Sequence, residues 1–267
     1  MAILTISREY GSGGREIGRR VAERLGYRYV DKELLFQDLE KEGARWGRAA
    51  RELDEVCPTV WERYDWQYRG YVARVESLIL GYAAADKAVI IGRGGSFLLA
   101  QVPFCLRVRL VAPLEVRLGR IMERERFSRV AAARLIGQVD ADRACFIKAN
   151  YDAAWDEERF YDMTLNTGSL TYDQVVDILV DTLAEKESQA SPGARAELAG
   201  LALAYRLKAR VAADPRVFVP TLEVELKEET IVVSGIIHTP QEAHLVREIA
   251  QEVCGDRAVR LDLHHRV

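Results

Sequence analysis

The chain has 267 residues, a length that suits one large domain or two of ordinary size. Its composition, 49% hydrophobic and 30% charged, is that of a globular protein and excludes disordered, collagen-like and disulfide-scaffold classes. With 38 Lys and Arg residues against 41 Asp and Glu, the net charge is -3. This balance gives no broad basic field, so we predict no nucleic-acid partner and no attachment to an anionic membrane.

Short apolar runs alternate with longer amphipathic stretches up to about residue 186. We predict that the runs at residues 2–7, 28–30, 88–92, 106–111 and 163–166 are strands. Strands that alternate with helices favour a parallel sheet covered on both faces, which places this part of the chain in the α/β class. Helices are predicted to begin after Asp31, after Ser128 and after Thr171, where Gln174 completes a capping box.

A polar stretch, EKESQASPGARA, interrupts the apolar periodicity and predicts a linker over residues 187–196. Beyond it the pattern changes to a helix at 197–213, strands at 221–227 and 230–238, a helix at 240–253 and a strand at 258–265. We therefore predict two domains, at residues 1–186 and 197–267, the second a small α+β domain of α-β-β-α-β order.

Four cysteines, Cys57, Cys105, Cys145 and Cys254, form no C-x-x-C pair and no zinc-type spacing. We interpret them as thiols of a protein in the reducing cytoplasm. The apolar N-terminal run is too short for a signal peptide, and no stretch approaches the roughly 18 apolar residues of a membrane span. The four histidines lie in the C-terminal part, where no cysteine or carboxylate pattern joins them, so no metal site is predicted.

A glycine-rich turn, Gly11-Ser12-Gly13-Gly14, joins the first predicted strand to a helix with an apolar stripe. Strand, glycine turn and helix form the usual layout of a phosphate cradle, in which backbone N–H groups and the helix N-terminus face the anion. The motif G-x-x-x-x-G-K-[ST] is not satisfied, because Gly14 and Arg15 occupy the places of its lysine and Ser/Thr. A simple tight turn remains the alternative.

Four segments in order, ITISREYGSGGREIG, YVDKELL, VIIGRGGSFLL and RFYDMTLNT, resemble the cytidylate kinase-like proteins, relatives of the nucleoside monophosphate (NMP) kinases. The resemblance covers residues 1–186. It implies a P-loop NTPase fold with a five-stranded parallel core, ATP and Mg²⁺ as cofactors, and phosphoryl transfer to a CMP-like or other small acceptor. A nucleotide-binding regulator that has lost catalysis is the alternative, and an interaction protein that has kept the fold is a third.

The resemblance also implies roles for particular residues. Gly11, Ser12, Gly13, Gly14 and Arg15 match the phosphate loop, whose backbone would hold the β-phosphate of ATP. Arg15 is also a candidate catalytic residue, which would take over the charge of the missing lysine.

Arg93, Arg120 and Arg124 each have a functional and a structural interpretation. Arg93 matches an arginine that grips the acceptor phosphate, although Gly94 stands where cytidylate kinases have an aspartate, and a structural ion pair is the alternative. Arg120 and Arg124 lie in the stretch that resembles the lid, where they would neutralise charge on the transferred phosphoryl group, or else form a solvated charged face.

Three further residues match the family's nucleotide site. Asp31 matches a residue near the NMP site and is also a candidate helix cap. Asp140 and Arg143 match a pattern that contacts cytosine and phosphates, but Ile136 replaces its first arginine.

Residues 197–267 resemble a BON domain in the segments ADPR, IVVSGII and PQEAHLVREIAQEVCG. This resemblance implies a module that contacts a ligand or a protein. Nine Lys and Arg against eleven Asp and Glu in this range leave no basic surplus for anionic lipid, so membrane docking is not expected.

Overall fold

The computed structural model describes residues 2–265, which divide into two compact units. The first unit comprises residues 2–34, 54–58 and 85–191, and the second comprises residues 35–53, 59–84 and 192–265. The strands are β1 (Ile3–Arg8), β2 (Arg28–Val30), β3 (Ala88–Ile91), β4 (Cys105–Val111), β5 (Met163–Asn166), β6 (Glu223–Lys227), β7 (Thr230–Ile237) and β8 (Val259–His265). The α-helices are α1 (Gly14–Leu25), α2 (Lys32–Lys41), α3 (Ala44–Leu53), α4 (Trp66–Ala84), α5 (Gly95–Leu98), α6 (Leu114–Glu125), α7 (Arg129–Tyr151), α8 (Tyr172–Lys186), α9 (Pro192–Ala212) and α10 (Pro240–Cys254).

A five-stranded sheet of order β2-β3-β1-β4-β5 forms the centre of the first unit, and every neighbouring pair is parallel. Strand β1 lies in the middle, with Leu4 opposite Val89 on one side and Leu106 on the other. Its apolar residues are fully buried, as expected for a strand covered on both faces. The predicted parallel α/β fold is therefore confirmed, and the loops that follow β1 and β3 meet at the carboxyl edge of the sheet.

The three predicted helix caps are present. The Asp31 carboxylate accepts a hydrogen bond from the Leu34 N–H at 3.2 Å, and the Ser128 hydroxyl accepts one from the Ala131 N–H at 3.3 Å. Thr171 and Gln174 form the reciprocal capping box at the start of α8. Each cap satisfies N–H groups that the helix itself leaves without a partner.

Replacing Thr171 with alanine is expected to lower the free energy of unfolding by about 1 kcal/mol, because the first turn of α8 loses its side-chain acceptor. Val175 and Leu179 of this helix pack in the core of the first unit. Fraying of the first turn therefore also weakens the packing of that core. Urea denaturation measures the effect, with Thr171→Ser as the matched control that keeps a hydroxyl. Equal midpoints for the alanine variant and the wild type would contradict the capping role.

The second unit contains the predicted α-β-β-α-β segment. Its sheet has the order β6-β7-β8, in which β7 pairs antiparallel with β6 and parallel with β8. Helix α9 begins at Pro192 rather than at residue 197, inside the predicted linker, because proline is well suited to the first turn of a helix. Helices α3 and α4 belong to the same unit, and α4 packs against α9. The proposed domain limits, 1–186 and 197–267 with a linker at 187–196, remain a prediction.

The cysteines differ from the sequence-based interpretation. Cys57 and Cys145 form a disulfide between residues 88 positions apart, with a Cα–Cα distance of 5.1 Å. The expectation of reduced thiols is therefore wrong for these two, because spacing along the chain does not report proximity in space. Cys105 and Cys254 are buried free thiols, and burial raises the pKa of Cys105 to about 12.

Within residues 2–265, no helix is both long enough and apolar enough to cross a membrane.

Candidate active site

The phosphate loop, residues 11–15, follows β1 after two residues and runs into the start of α1. Gly11 and Gly13 adopt left-handed backbone conformations, with φ values of 86° and 88°, which glycine reaches without steric cost. Gly13 is the N-cap residue of α1 and supplies no side-chain cap to the first turn. The N–H groups of the uncapped first turn of α1 and the positive end of the helix dipole are thus offered to an anion, as the sequence predicts.

The loop is crowded at its two last glycines. A Cβ on Gly13 would lie 2.4 Å from the ring of Tyr172, and a Cβ on Gly14 would lie 2.8 Å from the Cβ of Arg8. Gly14 occupies the place of the usual lysine, so the packing of Arg8 gives a steric reason why that side chain is missing.

A cavity of about 900 Å³ lies beside the phosphate loop, within the range of small-molecule pockets. Residues that follow the carboxyl ends of β1 and β3 contribute to its wall. Basic and acidic side chains both line it, in nearly equal numbers. The charged lining residues are Arg8, Arg15, Arg19, Lys32, Arg93, Arg120, Arg124, Arg143, Glu9, Glu16, Asp31, Asp54, Glu55, Glu125 and Asp142.

Arg93 lies at this cavity, just past the end of β3, in a left-handed conformation with φ 50°. Its guanidinium is only 4% exposed and donates to both carboxylate oxygens of Asp54, with Nε at 2.9 Å from Oδ1. Its backbone N–H donates to Glu55 at 3.0 Å. Arg93 therefore forms the structural ion pair that was the alternative interpretation, while it also lines the cavity.

Glu55 is the meeting point of three arginines, Arg8, Arg93 and Arg143, which we call the arginine cluster. Arg8 binds both oxygens of the Glu55 carboxylate at 3.0 and 3.1 Å, and Arg143 Nε donates to it at 3.2 Å. Burial alone would raise the pKa of Glu55, but the three guanidiniums lower it well below its usual value. Burial, followed by repulsion from Arg8, lowers the pKa of Arg143 to about 10.

The lowered pKa of Glu55 makes the protein sensitive to acid. Its carboxylate contributes stability above the unfolded-state pKa of about 4.5, and this contribution is lost as the pH falls toward the lower pKa of the folded state. We expect the free energy of unfolding of the wild type to fall more steeply than that of Glu55→Gln between about pH 5 and pH 3. Denaturation at a series of pH values measures both slopes. Glu158→Gln, which alters an exposed carboxylate, serves as the control, and parallel slopes for Glu55→Gln and the wild type would be the contrary result.

Asp140 and Arg143 lie one turn apart on α7 and face the phosphate loop. Asp140 accepts from the Tyr10 backbone N–H at 2.8 Å and from Arg117 at 2.6 Å. Arg143 donates to the Arg8 carbonyl at 3.0 Å. Asp140 thus positions the residue just before the phosphate loop, whereas Arg143 also belongs to the cavity wall.

Arg120 and Arg124 lie one turn apart on α6. Arg120 donates to the Gly11 carbonyl at 3.2 Å and to the Thr167 carbonyl at 2.7 Å, so it joins the phosphate loop to the loop after β5. Arg124 donates to the Tyr10 hydroxyl at 2.8 Å and is 56% exposed. The two side chains therefore differ: Arg120 is fixed by the fold, and the exposed Arg124 remains accessible to a ligand.

Arg15 and Asp31 lie on another side of the cavity. Arg15 pairs with Glu33 and is 54% exposed. Burial, followed by a hydrogen bond with Glu33, raises the pKa of Asp31. Asp31 is thus a helix cap at the cavity wall, and its contact with a nucleotide remains a prediction.

The residues around the phosphate loop offer little to a metal ion. The Ser12 hydroxyl donates to the Glu9 carbonyl at 2.8 Å, and the Ser7 hydroxyl accepts from Trp155 at 2.9 Å. Among residues 2–265, no three His, Cys, Asp or Glu side chains form a group that could hold a metal ion. Mg²⁺ in phosphoryl-transfer sites is often held by substrate phosphates and waters with few protein ligands, so we assign it none here.

Arg8, Tyr10, Asp54 and Glu55 are not among the site residues predicted from the sequence. The sequence does offer a pattern that points to Arg8, because this residue directly follows the first apolar run and precedes the glycine turn. No sequence pattern points to Asp54 or Glu55, because the arginines that bind them come from segments that are distant along the chain.

The model of the cytidylate kinase-like family matches residues 3–169, more than half of the chain. The chain belongs to the cytidylate kinase-like family. Its relatives include the cytidylate kinase of Methanocaldococcus jannaschii, 24% identical over 179 residues, which cover 66% of this chain and 94% of that enzyme. The cytidylate kinase of Methanopyrus kandleri is 26% identical over 190 residues, or 69% of this chain and 96% of that enzyme.

One further similarity concerns part of the sequence of this cytidylate kinase-like chain, and another concerns its fold. A uronate isomerase of Corynebacterium glutamicum is 36% identical over 104 residues, which are 39% of this chain and 20% of the isomerase, so the chain spans about a fifth of that protein. The crystal structure of an uncharacterized protein from Eubacterium ventriosum has a TM-score of 0.56 at 20% identity, covering 69% of this chain and 99% of that one. This structure shares the fold.

Proposed function

We propose that this cytidylate kinase-like protein transfers the γ-phosphoryl group of ATP to a nucleoside monophosphate such as CMP, or to a related small acceptor. The observation that carries the proposal is the convergence of the phosphate loop and several arginines on one cavity of about 900 Å³. Phosphoryl transfer depends mainly on positioning and charge stabilisation, which these groups supply.

The roles follow from the positions of the groups. Backbone N–H groups of the phosphate loop bind the β-phosphate, and Arg120 keeps the loop in place through the Gly11 carbonyl. Arg124, which is exposed, reaches the transferred phosphoryl group and offsets its charge. Arg93 and Arg143 bind the acceptor phosphate, while Arg15, Asp31 and Asp140 complete the nucleotide site. Mg²⁺, when bound to ATP, shields the negative charge of the phosphates.

A non-catalytic nucleotide-binding regulator is the second candidate. It is favoured by the packing at Gly14, which leaves no room for the usual lysine, and by the pairing of Arg15 with Glu33. A protein of this kind would bind ATP without transferring phosphate.

For residues 197–267 we propose a BON-like module that contacts a ligand or another protein and regulates or localises the first unit. The α-β-β-α-β order and the absence of a basic surplus support this role over membrane docking. We place the whole protein in the cytoplasm, where its nucleotide substrates are found.

The test is ADP formation by the full chain with Mg-ATP and CMP, dCMP, UMP, AMP or GMP as acceptor. We expect acceptor-dependent turnover that falls by about 100-fold in Arg124→Ala, the magnitude usual for one transition-state donor. Arg134→Ala, which removes an exposed arginine from α7, is the matched control. Saturable ATP binding without turnover for any acceptor would favour the regulator instead.

Gly13→Val tests the phosphate loop directly. The added Cβ meets the Tyr172 ring and the φ of 88° disfavours a branched residue, so the Kd for ATP should rise by at least about tenfold. Titration calorimetry measures it. Gly119→Ala on α6 is the control, because a Cβ there meets nothing within 4 Å. An unchanged Kd in Gly13→Val would exclude the loop as the phosphate site.

A further inference from the structure

Asp54 and Glu55, the acidic pair, occupy the arginine cluster as an anionic ligand would. Their side chains are 14% and 12% exposed. Arg93 binds both oxygens of Asp54, and Arg8 binds both oxygens of Glu55. The same bidentate arrangement is the one that guanidinium groups use for phosphate. The acidic pair and an incoming phosphate therefore compete for the same donors.

The backbone of this segment is held in a conformation that it would not adopt by itself. Glu55 has a φ of 50°, in the left-handed region that residues other than glycine seldom occupy. Such a conformation persists only where surrounding contacts impose it. The ion pairs with the arginine cluster provide one such contact.

The Cys57–Cys145 disulfide provides another. Cys57 follows Glu55 by two residues, and Cys145 follows Arg143 by two residues on α7. The bond thus ties the acidic pair to the helix that supplies one of its arginines. Cys57 is exposed, so a reductant in solution can reach the bond. Accessible disulfides are typically the exchangeable and regulatory ones.

We propose that the Cys57–Cys145 disulfide is a redox switch that keeps the acidic pair in the arginine cluster, and that its reduction opens this cluster to a phosphate group. A dithiol reductant would supply the two electrons and two protons: the Cys57–Cys145 bond breaks, two cysteine thiols form, and the dithiol becomes a disulfide. The acidic pair, no longer cross-linked to α7 and held only by its ion pairs, then yields the arginines to the phosphate. That this phosphate belongs to the kinase acceptor rests on the proposed function, whereas the competition itself does not.

The experiment measures inorganic phosphate binding to the full chain by calorimetry, before and after treatment with dithiothreitol. Free thiols should rise from the two of Cys105 and Cys254 to all four cysteines. We expect the reduced protein to bind phosphate roughly tenfold more tightly, within the usual range for coupled sites. Phosphate held by the phosphate loop is common to both forms, so the difference reports on the arginine cluster.

Two variants and a control isolate the cause. Cys57→Ser/Cys145→Ser should bind phosphate as the reduced wild type does, with or without dithiothreitol, and Cys254→Ser should respond as the wild type does. In Asp54→Asn/Glu55→Gln, phosphate should bind tightly even with the disulfide intact. Because the wild type is tested without any substitution, a variant that fails to fold leaves the main comparison standing.

Equal phosphate affinity of the two wild-type forms, with both additional thiols released, would overturn the switch. Failure of the kinase proposal is a separate result. Redox-dependent phosphate binding without ADP formation in either form would exclude the kinase and support the switch, whereas ADP formation with a phosphate affinity that does not change on reduction would support the kinase and exclude the switch.

Discussion

Replacing Arg93 with alanine is expected to lower the free energy of unfolding by about 3–5 kcal/mol, the usual cost of removing one partner from a buried ion pair. The guanidinium is 4% exposed, and its loss leaves the Asp54 carboxylate, itself only 14% exposed, without both of its short hydrogen bonds. Urea denaturation at neutral pH measures the change.

Arg159→Ala is the matched control for Arg93→Ala. Arg159 also forms an ion pair, with Glu157, but its side chain is 71% exposed. Its removal should change the free energy of unfolding by less than about 1 kcal/mol, as is usual for surface pairs. Similar losses in the two variants would mean that burial does not set the strength of the Arg93 pair.

Reducing the Cys57–Cys145 bond is expected to lower the free energy of unfolding by about 2–5 kcal/mol, because a cross-link over a long loop restricts the unfolded chain. The two residues are 88 positions apart, which places the expected loss toward the upper end of this range. Denaturant midpoints with and without dithiothreitol measure it.

The double variant Cys57→Ser/Cys145→Ser separates the bond from side effects of the reductant. It should have the lower midpoint in both conditions, whereas Cys254→Ser should still lose stability on reduction. If dithiothreitol leaves the wild-type midpoint unchanged, the disulfide does not restrict the unfolded chain as the loop length requires.

The sheet was predictable because its central strands, β1 and β3, are short buried runs rich in apolar residues. Strands β2 and β5 have the predicted bounds, and β1 runs one residue further because Arg8 still pairs with Leu110 of β4. A prediction based on apolar runs excludes this last position, because Arg8 is charged. The start of α9 was not predicted, because its first turn around Pro192 is polar and resembles a linker in composition.

The candidate site was predictable where neighbours in sequence are neighbours in space. The phosphate loop and the spacing of Arg120 and Arg124 satisfy this condition. Glu55 does not, because its three arginines come from the end of β1, the end of β3 and α7. The disulfide does not satisfy this condition either. Local patterns in a single sequence indicate neither the ion pairs of Glu55 nor the Cys57–Cys145 bond.

The pairing of α4 with α9 has a consequence for the order of events during protein synthesis. Helix α4 ends at Ala84, and α9 is complete only at Ala212. At ordinary translation speed the face of α4 that packs against α9, which includes the buried Glu76 paired with Lys208, waits roughly ten seconds for its partner. All strands of the five-stranded sheet have left the ribosome by then. A nascent chain arrested after residue 186 would accordingly present that face to chaperones or to other chains.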